Sequence, residues 1–246
     1  MLSEEGRHMA SDPDGRWSAE EAIRYDDFAT RSFSWRYIEK PALRELIEPL
    51  VDHRTKVLDL GCGGGRIITL LRQLGLPEKS VYGLDNDPTL AQLARQRFLG
   101  ATIINADITA PPYPGVPPGL DLITAHLVFQ YLTVEDLRAT LDEARRLLRP
   151  GGYMAVGLPH PMRVAEQAES CYFSREQQII PAPWGGVTIS SGLTVSDHIN
   201  SAIDAGFNLV RLTEPEIAEY ATGYGDAASY TKGPTRLMML VQTALL

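Results

Sequence analysis

Cysteine is nearly missing from this chain: 246 residues contain two, Cys62 and Cys171. Cys62 stands among glycines, so no disulfide scaffold is expected and a reducing, cytoplasmic setting is the expectation. Long apolar runs are absent as well. No stretch approaches the ~20 residues of a membrane-spanning helix, and the amino end has no apolar signal-peptide core, so no membrane partner is expected. A basic excess is also lacking, since 23 Lys and Arg stand against 31 Asp and Glu, for a formal charge of -8 and a pI near 5.2. With no basic run to make a phosphate-binding face, nucleic acid is not an expected partner. There is no internal repeat and no low-complexity segment, and no metal is expected.

What is present suits one α/β domain. Hydrophobic residues make up 44% of the chain, enough for a large core. Residues 1–16 read as a flexible polar tail. Helical patterns cover 19–29 and 37–51, the second with Leu43, Leu46, Ile47 and Leu50 on one face. From Lys56 the rhythm changes to short apolar strands alternating with helices. Strands are expected at 57–60, 80–84, 101–105, 120–125 and 153–158. Helices are expected at 67–74, after Asp87-Pro88 as far as Gly100, and after a capping box at Thr133-Val134-Glu135-Asp136. Such alternation implies a parallel sheet with helices on both faces. Residues 161–193 break the pattern with aromatic and turn-rich sequence and read as a small hairpin or lid around Trp184-Gly185-Gly186. A capped helix at 194–205 and strands at 207–212 and 236–244 follow, with Met238 and Met239 taken as core.

The chemistry concentrates after the first strand. Val57-Leu58-Asp59-Leu60-Gly61-Cys62-Gly63-Gly64-Gly65-Arg66 places a glycine turn between a strand and a helix amino terminus, where ligand can approach bare backbone N–H groups. Gly61, Gly63 and Gly65 give G-x-G-x-G, not the G-x-G-x-x-G of dinucleotide sites. Asp59 is placed to anchor the loop or to meet an ammonium group. Asp85, with Asn86, ends the second strand, and Asn105-Ala106-Asp107-Ile108 ends the third. Cys62 reads as a small packed residue.

This set resembles the motifs of class I S-adenosylmethionine-dependent methyltransferases of the small-molecule, bacterial type. Asp121 to Val128 and Leu147-Leu148-Arg149-Pro150-Gly151-Gly152 resemble the family segments that follow. The resemblance implies a Rossmann-like seven-stranded sheet with helices on both faces and its last strand antiparallel. It also implies S-adenosyl-L-methionine as cofactor, with Asp85 on the ribose, Asp107 on the adenine amino group and Ile108 against the ring. Tyr37-Ile38-Glu39-Lys40-Pro41-Ala42 resembles an amino-terminal helix that folds over the cofactor in small-molecule members, which brings Tyr25 and Tyr37 to the site. Gly157-Leu158-Pro159-His160-Pro161 resembles a further segment of bacterial members. The expected layout is therefore a helical cover at 17–55, a cofactor-binding core at 56–160, a lid at 161–193 and the end of the core at 194–246.

Methyl transfer needs a nucleophile held in line with an electrophile that is already strong, sometimes with a general base. His126 and His160, at the ends of the fourth and fifth strands, are the candidate bases, each with packing as its alternative role. Tyr25, Tyr131, Tyr172 and Trp184 are the candidate acceptor contacts, with Gln130 and Phe173 beside them. His198 reads as a surface or boundary residue. The expected acceptor is a small, aromatic or natural-product-like molecule, with oxygen, nitrogen and carbon all open as the methylated atom. A nicotinamide-dependent dehydrogenase, a methyltransferase scaffold with cyclase or binding work, and a macromolecule methyltransferase are the rival readings. The oligomeric state, a homodimer included, is open.

Overall fold

A computed structural model describes residues 18–244; the tail expected over 1–16 lies outside them. The first helix, α1 (Ala19–Arg31), opens on a capping box in which Ser18 and Glu21 each accept from the other's backbone N–H. The second helical segment does not run evenly. It begins as a widened π turn, Trp35–Glu39, passes into α2 (Lys40–Ile47), and ends in a 3-10 turn. Pro41 accounts for the widening: it has no N–H for the Tyr37 carbonyl four residues back. That carbonyl instead accepts from Ala218 N at 3.0 Å, which ties the turn to a distant loop.

Seven strands form the main sheet, in the order β3-β2-β1-β4-β5-β9-β8. Their ranges are β1 (Val57–Leu60), β2 (Val81–Asp85), β3 (Thr102–Asn105), β4 (Leu120–His126), β5 (Leu148–Pro159), β8 (Phe207–Thr213) and β9 (Arg236–Thr243). The first five pair in parallel, and β9 runs antiparallel between β5 and β8. β6 (Gln178–Pro181) and β7 (Val187–Ser190) make a separate hairpin whose turn holds Trp184-Gly185-Gly186.

The helices α3 (Arg66–Gln73), α4 (Pro88–Arg97), α5 (Val134–Leu147), α6 (Pro161–Gln167) and α7 (Val195–Asp204) complete the layers. Successive strand residues face opposite sides. Val57, Leu122 and Met238 pack with α2, α3 and α4, whereas Leu58, Ile123 and Met239 pack with α5 and α7. Every residue of β1 is buried, as a strand covered on both faces must be. Two departures from the sequence reading stand out. α6 starts at Pro161 with His160 as its cap, inside the segment read as a small hairpin or lid. His198, expected at the surface or its boundary, is 3% exposed on the inner face of α7.

Candidate active site

The carboxyl ends of β1, β2 and β4 meet at the glycine loop. Gly61, Gly63 and Gly65 all hold positive φ (64°, 53° and 90°), the region that side chains disfavour. A Cβ on Gly65 would stand 2.2 Å from Phe98, and one on Gly61 would stand 2.6 Å from Val128. At Gly63 the nearest atom to such a Cβ is Tyr25 Cε1, 4.0 Å away, so this part of the loop faces open space under α1. Arg97 of α4 clamps α1 above the loop, donating to both carboxylate oxygens of Asp26 at 2.8 and 2.6 Å and to the Gly64 carbonyl at 3.1 Å.

Two buried carboxylates flank the loop. Asp85 ends β2 and accepts from Gly63 N at 2.7 Å and Asp87 N at 2.9 Å, yet burial pushes its carboxyl up to about 6. Asp59, 1% exposed, accepts from the Thr124 hydroxyl at 2.7 Å through Oδ1. Its Oδ2 is buried without a partner, and burial pushes this group up to about 7 against the pull of Thr124 and Arg66. Asp107 lies exposed beyond β3 and accepts from Thr109, while Ile108 is buried in the core cluster. Asn86 is exposed, and Cys62 is a packed thiol, 4% exposed, which burial pushes well up.

Beyond Arg66 opens a cavity of about 350 Å³ between the sheet end, α1, α6 and the hairpin. Tyr25, Tyr131 and Trp184, three of the candidate acceptor contacts, all line it. Trp184, at the hairpin turn, meets Tyr25 edge-on at 5.0 Å and tilts against Phe28 at 5.8 Å. Tyr131 faces Thr188 of β7 across 3.3 Å. Tyr172 is elsewhere: its hydroxyl accepts from Val195 N at the start of α7, and Phe173 beside it is 74% exposed. Tyr37 also stands apart, in an aromatic cluster with Phe33, Tyr220 and Tyr224.

Neither histidine proposed as a base lines the cavity. His160 accepts from Met162 N through Nδ1 at 3.2 Å, and its Nε2 lies 2.8 Å from Glu214. His126 lies beneath Glu39, with Nε2 and Glu39 Oε2 2.9 Å apart. Burial drives His126 down to about 4, aided by Arg66 and Arg236 and opposed by its bond to Glu39. A neutral ring donates from Nε2 to the carboxylate, which leaves Nδ1 bare and without a partner. Gly157 makes room for that nitrogen, since a Cβ there would stand 2.1 Å from it.

Glu39 is the residue the sequence reading passed over, although it sits in the segment quoted for Tyr37. Its carboxylate is 1% exposed and accepts from Arg236 Nε at 2.7 Å, while Arg66 Nη1 lies 3.6 Å away. Burial alone would raise this carboxyl, but Arg236, His126 and Arg66 outweigh it and hold Glu39 well below its ordinary range. Arg236 also donates to Ser34 at 3.1 Å, and Arg66 lies over Trp35 at 5.0 Å. The cluster thus ties the helical cover, α3, β4 and β9 together at the cavity wall.

Residues 57–152 match the family of methyltransferase domains. A trans-aconitate 2-methyltransferase of Rhodopseudomonas palustris is 32% identical over 146 residues, 58% of this chain and 50% of that protein. The biotin biosynthesis bifunctional protein BioHC of Saccharophagus degradans is 27% identical over 85% of this chain and 33% of its own length. The chain therefore spans about half, or less, of these relatives. Among solved structures, a putative S-adenosylmethionine-dependent methyltransferase of Listeria monocytogenes superposes with a TM-score of 0.69 at 16% identity, covering 83% of this chain and 98% of that one. One from Mesorhizobium loti gives 0.65 at 20% identity, covering 86% and 98%. These likenesses establish the fold.

Proposed function

We propose, from the premise that this chain belongs to the class I methyltransferases, that it transfers a methyl group from S-adenosylmethionine to a small molecule held in the Tyr25–Tyr131–Trp184 cavity. The observation that carries the reading is the pair of unsatisfied features at the glycine loop: the partnerless Asp59 Oδ2 and the open face of Gly63. A buried carboxylate oxygen with no donor is costly unless a ligand supplies one. The cofactor has an ammonium group and ribose hydroxyls, both donors, so the residues present fit it. Asp59 would hold the first and Asp85 the second, with Gly63 letting the chain of the ligand pass close to backbone. Asp107, exposed at the end of β3, would hold the adenine amino group.

When bound, the cofactor supplies a methyl on a positively charged sulfur, already activated for attack. The protein's share is orientation and exclusion of water. α1, pinned by Arg97, covers the loop from one side, and Trp184 closes the cavity from the other through Tyr25 and Phe28. Tyr25 bridges the two halves, since it faces Gly63 and also lines the cavity. Tyr25, Phe28, Tyr131, Trp184 and Tyr230 make much of that wall aromatic, which supports an acceptor with a flat apolar body. The relatives named for trans-aconitate support a small-molecule acceptor as a class.

The test is direct. Purified protein is titrated with S-adenosylmethionine and with NAD, then incubated with labelled cofactor and a panel of small acceptors. Saturable S-adenosylmethionine binding and acceptor-dependent S-adenosylhomocysteine formation are expected. NAD binding in their place would overturn the reading.

A further inference from the structure

Three buried hydrogen-bonding atoms meet at a second, smaller pocket beside the acceptor cavity, between the hairpin, α6 and α7. They are Gln130 Oε1, Gln178 Oε1 and His198 Nδ1, and none has a partner among the described residues. All three side chains line the pocket, in residues that are 9%, 5% and 3% exposed. A buried polar atom without a partner is costly, so three around one space call for a ligand. The pocket has a volume of about 10 Å³, close to that of a single water-sized sphere, and Pro159, Pro161, Val164 and Leu193 make the rest of its wall largely apolar.

The surrounding bonds fix what each atom can do. Gln130 Nε2 donates to the Leu127 carbonyl at 2.8 Å, and a carbonyl only accepts. Gln178 Nε2 donates to Ser170 Oγ at 3.1 Å, whose own proton goes to the Cys171 carbonyl at 3.3 Å. Each amide therefore keeps its oxygen, a pure acceptor, for the pocket. His198 is neutral, because burial drives it down to about 4, and a neutral ring can carry its proton on Nδ1. Two acceptors and one donor around room for one non-hydrogen atom match water, which gives two hydrogen bonds and accepts a third. An ammonium ion has no lone pair to offer the imidazole N–H.

The three partners come from three parts of the fold. Gln130 follows β4 and also lines the acceptor cavity, Gln178 opens β6, and His198 stands on α7. The Gln130 carbonyl already accepts from Ser191 N, just past the hairpin, at 2.8 Å. We infer that the pocket is a site for one water molecule, which donates to Gln130 and Gln178, accepts from His198, and so fastens the base of the hairpin to the core. Because the hairpin carries Ile180, Trp184 and Ile189 of the acceptor-cavity wall, Gln178 is a positioning residue for the acceptor. That last step rests on the methyl-transfer reading above; the water site itself does not.

The experiment uses the whole chain at neutral pH. A high-resolution crystal structure is expected to show an ordered water about 2.7–3.2 Å from all three atoms. Nitrogen-15 spectra of histidine-labelled protein should find His198 neutral, with its proton on Nδ1. Gln178→Met keeps the length of the side chain and removes its amide. It should speed hydrogen exchange of the hairpin amides, residues 178–190, by about five- to tenfold while β1 to β5 stay protected. It should also raise the acceptor KM, with cofactor Kd moving less than about twofold. The inference falls if the pocket holds no water or holds an ion, or if Gln130 or Gln178 bonds to His198 directly. It falls as well if His198 carries its proton on Nε2, or if the variant leaves hairpin exchange unchanged. A hairpin that loosens at constant acceptor KM would overturn the positioning role. Absence of S-adenosylmethionine binding to the wild-type chain would mark the failure of the methyl-transfer reading, while the water density and the His198 tautomer would still decide the site.

Discussion

The two halves of the site treat buried carboxylates in opposite ways. At the glycine loop, Asp59 and Asp85 are buried with only neutral donors in direct contact, and burial lifts them to about 7 and about 6. Across Arg66, Glu39 is as deeply buried but is gripped by Arg236, and it stays ionised far below its ordinary range. Burial is common to both, so the partner decides the sign. Glu39 is satisfied by the protein's own charges. The cofactor half keeps unmet hydrogen-bonding capacity, which is what a site for a cationic, hydroxyl-rich ligand requires.

The largest expected effect comes from breaking the satisfied half. Glu39→Gln leaves Arg236 and Arg66 buried against a neutral group and should cost about 3–5 kcal/mol, a fall in Tm on the order of 10 °C. Scanning calorimetry reads it directly; a loss under about 1 kcal/mol would show that the cluster is not an electrostatic unit. In the wild type, the Glu39 contribution is present above its unfolded pKa and should disappear as pH drops below about 4.5.

Asp59→Asn acts in the other direction. A carboxyl raised from 3.8 to about 7 contributes stability at low pH that is lost as pH rises through 7. His126 and His198, each lowered to about 4, oppose it by adding stability as pH climbs from 4 to 6.5. An unfolded imidazole is only half deprotonated at about pH 6.5, so the histidines still add stability up to about pH 7.5. They mask most of the fall that Asp59 contributes, which is read as the difference between wild type and variant. Asp59→Asn should remove that fall and stabilise the cofactor-free protein by roughly 1–3 kcal/mol at pH 8, while weakening S-adenosylmethionine about tenfold or more. An unchanged pH profile in the variant would assign the slope to another group.

Smaller still is Gly63→Ala. Its φ of 53° makes a side chain cost about 1 kcal/mol, and its Cβ would meet nothing closer than Tyr25 at 4.0 Å. The fold should survive with Tm lowered by only a few degrees, yet the cradle would be narrowed and cofactor affinity reduced. Equal affinity for both proteins would move the ligand away from Gly63. The smallest effect is expected at His160. Asn replaces it as the α6 cap, so His160→Asn should change stability by less than about 1 kcal/mol and kcat by less than about twofold. A hundredfold loss of kcat with unchanged folding would restore His160 as a base.

The same contrast explains what could be read from sequence. The glycine loop, Asp59 and Asp85 are local, since strand, turn and helix follow one another within a few residues. The caps at Asp87, Thr133 and Thr194 are local too, and the structure has all three. The Glu39 cluster is not local. Its partners His126 and Arg236 lie 87 and 197 residues away, and only the assembled sheet brings them together. The family resemblance of Tyr37 to Ala42 points to Tyr37 as the residue that reaches the site, and says nothing of Glu39's partners. The π turn at Pro41 sends Tyr37 toward Tyr224 and Glu39 toward the core. His126 and His160 do stand at strand ends, but position alone did not reveal that one is held by Glu39 and the other caps α6.

The central claim is that the loop with Asp59 and Asp85 is a cofactor site waiting for a cationic group. Calorimetric titration of S-adenosylmethionine into the wild-type protein at pH 7, repeated in two buffers of different ionisation enthalpy, tests it most directly. An ammonium settling beside Asp59 lowers a carboxyl now near 7, so binding with net proton release is the predicted result. Binding with proton uptake, or no binding of S-adenosylmethionine beside clear binding of NAD, would contradict it.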